Sequence, residues 1–121
     1  MLSSAVLRTR TSQIGGPRNA DTTRGVKDII MKARFQLGQL VATKGALSAL
    51  EQAGQSPLEF IRRHQSGDWG DLSQDDTQEN EYSVDKPLRI FSAYHTAKHE
   101  RLWIITEADR SATTVLLPSE Y

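Results

Sequence analysis

The chain has no cysteine among its 121 residues. That excludes a disulfide framework, a thiolate metal site and a cysteine nucleophile. It also lacks any apolar run near the roughly 20 residues that a membrane-spanning helix needs. Net charge is lacking too, because 15 Lys and Arg offset 15 Asp and Glu. A neutral domain is a poor general binder of nucleic acid, since phosphate neutralisation drives that affinity. Glycine-rich phosphate loops, nucleophile elbows, zinc motifs and dinucleotide fingerprints are missing. Gly15-Gly16-Pro17 is expected to precede the structured elements and so not to serve as one. No cofactor and no metal is therefore expected. The expected compartment is the cytoplasm.

What the sequence does hold is unevenly spread. Residues 1–34 carry seven Lys and Arg against Asp21 and Asp28, whereas residues 66–85 carry seven acids and no Lys or Arg. Residues 1–21, basic and rich in Ser and Thr, read as a flexible extension ahead of one domain over residues 22–121. Such an arm could touch nucleic acid or an acidic partner.

Within the domain the spacing predicts a helix from Thr22 or Thr23, with Val26, Ile29, Ile30 and Ala33 on one face. A strand is expected over Phe35–Ala42, with Phe35, Leu37 and Val41 sharing a face. Thr43 can cap a helix over Lys44–Ala53 that Gly54 ends. Ser56-Pro57-Leu58-Glu59 reads as a capping box opening a second helix, which stops near His64–Gly67. Ser73 with Asp76 suggests one more helical turn. Three apolar runs follow, Leu88–Tyr94, Leu102–Thr106 and Thr113–Leu117, in the pattern of an antiparallel meander. The expected class is α+β: three or four mainly antiparallel strands packed against two or three helices.

Two polar strings are candidate sites. In the first, His64-Gln65-Ser66-Gly67-Asp68-Trp69-Gly70-Asp71, His64 could be a general acid or base. The same string also reads as a helix end followed by a tryptophan plug, with its indole N–H seeking an acceptor. In the second, Thr106 to Ser111, Glu107 could act as a base and Arg110 could steady an anion. As plain structure, Asp109 and Ser111 are turn residues and Arg110 an ion-pair partner. Asp68, Trp69, Asp71, Arg89, His95 and Asp109 are the further candidates for binding. His95 and His99 have the spacing of two helical metal ligands but fall in a strand–turn–strand segment, without a third ligand. Arg89, His95 and Arg101 could form a mildly basic face.

The segments RFQLGQLVAT at Arg34–Thr43, HQSGDWGDL at His64–Leu72 and WIITEADRSATTVLLPSEY at Trp103–Tyr121 together resemble a family of small bacterial proteins of plasmids and other mobile elements. Some of these are labelled "type I restriction endonuclease subunit M". The resemblance implies an accessory role through protein–protein contact, such as inhibition of a host defence system or regulation. The label does not fit the residues. A methyltransferase needs a parallel α/β sheet with a glycine-rich cofactor loop and an Asn-Pro-Pro-aromatic type loop, and this chain has neither. A looser likeness in arrangement, to the barnase/RelE-type ribonucleases, implies the alternative of a metal-free ribonuclease using His64, Glu107 and Arg110.

Overall fold

The computed structural model describes residues 33–121 and the backbone of Ser4–Val6. The expected helix from Thr22 lies outside the described residues, apart from Ala33, which is not helical. So does the expected N-terminal extension, apart from Ser4–Val6. Those three residues form a short strand (β1) paired antiparallel with Gln39–Thr43 (β2). Three helices follow: α1 over Lys44–Ala53, α2 over Pro57–Ser66 and α3 over Gln74–Ser83. Strands β3 (Ile90–His95), β4 (Arg101–Thr106) and β5 (Ala112–Leu116) come next, and a 3-10 turn over Pro118–Glu120 closes the described chain.

The class is α+β. The C-terminal meander forms as its apolar runs predict, β3 antiparallel to β4 and β4 to β5. The sheet order is β1-β2-β5-β4-β3, and β2 lies parallel to β5. Three of the four strand pairings are antiparallel, as expected, and the one parallel pairing makes the sheet mixed rather than purely antiparallel. The helices carry the chain from β2 across one face to the far edge at β3, so the return through β4 and β5 brings β5 alongside β2 in the same direction.

β2 also starts later than its alternation suggests. Gly38 adopts φ +66°, and a Cβ there would lie 2.4 Å from the carbonyl oxygen of Arg110. That left-handed residue breaks the extended run. Phe35 and Leu37 therefore belong to the approach. Leu40 and Ala42 face the helices, while Val41 lies on the opposite face.

The helix ends follow their local chemistry. The Thr43 hydroxyl accepts from Ala46 N at 3.1 Å and Gly54 closes α1 at φ +67°. Ser56 accepts from Leu58 N at 3.2 Å, with Pro57 in the first turn. The Glu59 carboxylate does not complete the expected box. It accepts instead from the Gln55 side chain at 3.0 Å. The turn expected at Ser73 is a ten-residue helix, with Asp75 and Asp76 in its first turn, where the helix dipole favours acids. The carboxylate of Glu120 accepts from Gly45 N at 3.1 Å, from Leu117 N at 2.9 Å and from the Thr43 hydroxyl. It ties the last turn to the amino end of α1. Desolvation works against the charge, but these donors hold the Glu120 carboxyl below its usual range.

The core lies between the helices and one face of the sheet. Leu40, Ala42, Leu102, Ile104, Val115 and Tyr94 meet Ala46, Leu50, Phe60 and Ile61. Phe35, Trp69 and Ile90 form a second cluster at the β3 end. α3 has no apolar face. It is fastened by Asn80, whose side chain donates to the carbonyl of Phe91 and accepts from its N–H at 3.1 Å. Further along β3, Ala93 N donates to Trp69 O and Asp71 N to Ala93 O, through a bridge at Gly70. The outer edge of β3 is thus occupied at Phe91 and at Ala93, which closes it to another strand.

Candidate functional site

His64 lies on α2 and is fully buried. Phe35 meets its ring edge-on at 5.2 Å between centroids, and Trp69 at 6.0 Å. Both ring nitrogens have partners: Nδ1 with the Ser92 hydroxyl, Nε2 with the Thr106 hydroxyl at 2.8 Å. The far end of the chain decides its direction. Thr113 donates to the carbonyl of Leu37 at 2.7 Å, so Thr106 must donate to Thr113, 2.7 Å away. Thr106 then has only a lone pair for His64, which places the imidazole proton on Nε2 and leaves Nδ1 to accept from Ser92. Every hydroxyl in the row is satisfied in one direction. Desolvation, and then the charge of Arg110, lower the His64 pKa from 6.5 to about 3. The ring is neutral at pH 7 and sealed from any solute.

Arg110 adopts φ +59° in the β4–β5 connection. Its guanidinium lies 5.9 Å from the Phe35 ring and faces carbonyls rather than an open site. Nη1 donates to Leu88 O at 2.6 Å and to Glu107 O and Ala108 O at 3.1 Å. Nη2 donates to Ser83 O and Lys86 O at 2.8 Å. This one side chain pins the α3–β3 loop to the β4–β5 turn. Lysine offers fewer donors and no planar fork. Arg110→Ala is therefore expected to cost about 2–3 kcal/mol of unfolding free energy, with Arg110→Lys recovering less than half. Urea titration reads both, and an alanine variant as stable as the parent would contradict the clamp.

The other predicted residues are paired as well. Glu107 accepts from Arg89 at 3.3 Å, and Arg89 also donates to the Tyr121 hydroxyl at 3.1 Å. Asp68 accepts from Arg63 at 2.7 Å. Asp71 lies 2.5 Å from His95 Nδ1. Asp109 accepts from Ser111 N at 3.0 Å, as a turn residue. Trp69 is a buried plug whose indole donates to Glu81 at 2.9 Å. Arg34 grips that carboxylate with two bonds, at 2.7 and 2.9 Å. The Arg34 bonds, and then the indole, bring the Glu81 carboxyl from 4.5 to about 2.

His64, Glu107 and Arg110 do not open onto a shared volume. His64 is inside, Arg110 is spent on carbonyls and Glu107 sits with Arg89. His95 and His99 belong to no cluster of three or more ligating side chains among the described residues. No helix among them is long and apolar enough to cross a membrane.

Two surface features remain. On the sheet face away from the helices, Arg89, Phe91, Trp103, Ile105 and Tyr121 line a cleft of about 290 Å³. Phe91 and Tyr121 meet the Trp103 ring edge-on at 5.1 and 5.8 Å. Along the outer side of α3, Asp75, Asp76, Gln78, Glu79 and Tyr82 line a shallow acidic concavity. Sequence reasoning missed Tyr121, Asn80, Glu81 and Glu120, which lie in no motif. Apart from the Leu117 N–H that Glu120 accepts, their partners lie 11 to 77 residues away along the chain. Compared with protein-family models, curated proteins and solved structures, the chain matches none of them.

Proposed function

We propose that this is an accessory protein of a mobile genetic element that works by holding another protein, in the manner of a host-defence inhibitor or a regulator. The supporting observation is α3. A helix that is polar on every side gains little from packing on its own domain. This one is held by side-chain bonds from Asn80 and Glu81, and it turns Asp75, Asp76, Gln78 and Glu79 outward. The matching partner surface is basic, since opposed charges steer encounter and set register. The burial of His64 and the engagement of Arg110 with backbone carbonyls weigh against a ribonuclease built on His64, Glu107 and Arg110.

The test is affinity capture from the host with the parent chain and with a Gln78→Lys/Glu79→Lys variant. That pair leaves the stabilising acids of the first turn in place. A specific host protein should be retained by the parent and held at least tenfold more weakly by the variant, about 1.4 kcal/mol. Total RNA incubated with the purified protein should stay intact. RNA cleavage that disappears in Glu107→Ala would overturn the reading.

A further inference from the structure

We propose that the cleft on the back of the sheet is a self-association surface, on which two copies pack about a twofold axis with Arg89 of each facing Glu107 of the other. It does not depend on the α3 contact, which lies elsewhere on the domain.

Three observations lead there. The lining includes Trp103, Tyr121 and Arg89, the residue types enriched where interfaces gain most of their binding energy, beside Phe91 and Ile105. Tyr121, at its rim, is 70% exposed, the most of any large apolar side chain among the described residues. Second, the charges of the patch balance. Arg89 and Glu107 lie 3.3 Å apart, and both side chains are about half exposed. A twofold interface sets one patch against itself, so a patch of one sign would repel its copy. A patch with one charge of each sign, side by side, can exchange partners across the axis. Third, edge-to-edge pairing of a copy along β3 is closed. The helices cover the other face, and Asn80 and Gly70 occupy the outer edge of β3, so edge-to-edge pairing there is blocked. Two sheets stacked face to face are a stable layer arrangement.

The test uses the full chain in sedimentation equilibrium over a wide concentration range. The parent should populate a dimer. Arg89→Glu places four acids around the axis and Glu107→Arg places four arginines, so each variant alone should dimerise at least tenfold more weakly. Mixed in equal amounts, the two variants should form a heterodimer, because every pair across the axis is again opposite in sign. A purely internal role for the Arg89–Glu107 pair predicts no such rescue. A parent that stays monomeric throughout, a dimer indifferent to both reversals, or variants that do not associate when mixed would each overturn the proposal.

Discussion

Replacing His64 with alanine is expected to remove about 3–5 kcal/mol of unfolding free energy, enough to unfold much of a small domain. Two terms add. The imidazole leaves a void against Phe35 and Trp69, where the side chains on either side belong to different elements and cannot easily collapse inward. Its loss also strands the Ser92 donor and a Thr106 lone pair, both in fully buried residues. Among the described residues no buried side-chain nitrogen or oxygen lacks a partner, so the variant would introduce the first such defects. Urea unfolding followed by tryptophan emission suits the measurement, because Trp69 adjoins the site. A loss below 1 kcal/mol would show that the ring is not the keystone of this row.

Acid is expected to unfold the protein through the same residue. The His64 pKa falls from 6.5 to about 3 on folding, so the unfolded chain binds a proton there first. Stability from this group is complete above pH 6.5 and is lost progressively as pH falls from 6.5 towards 3. At 1.36 kcal/mol for each pH unit of that gap, the whole effect is about 5 kcal/mol. Protonation would turn Nδ1 from acceptor to donor towards Ser92 and place a charge in the core near Arg110. The window from pH 6.5 to 5 is diagnostic, because Glu81, whose carboxyl titrates near 4.5 in the unfolded chain, contributes mainly below it. His64→Gln, which carries no titrating group, should flatten the dependence in that window. An unchanged slope in the variant would place the acid sensitivity elsewhere.

The candidate residues were legible as unusual before they were legible in role. The string from His64 to Asp71 stands out because a histidine, two glycines and a tryptophan fall close together. That local signal has two explanations, and burial chooses between them. Gly67 ends α2 at φ +92°, and Gly70 at φ +76° lets the chain reach the backbone of Ala93. The turn with Glu107, Asp109 and Arg110 is likewise visible as polar excess. Nothing near Arg110 in the chain says that its acceptors are carbonyls up to 27 residues away.

By itself the sequence determined the helix starts at Thr43 and Ser56, the three C-terminal strands, the class, and the absence of thiol chemistry. Each of these rests on neighbours within a few residues, where caps, glycines and alternating apolar positions act directly. Only the tertiary structure decided that β2 lies parallel to β5, that His64 is sealed and Arg110 spent, and that Tyr121 meets Trp103 on the sheet face away from the helices. Those outcomes depend on which distant segments share a layer, and desolvation and bond partners are set by that sharing rather than by the order of residues along the chain.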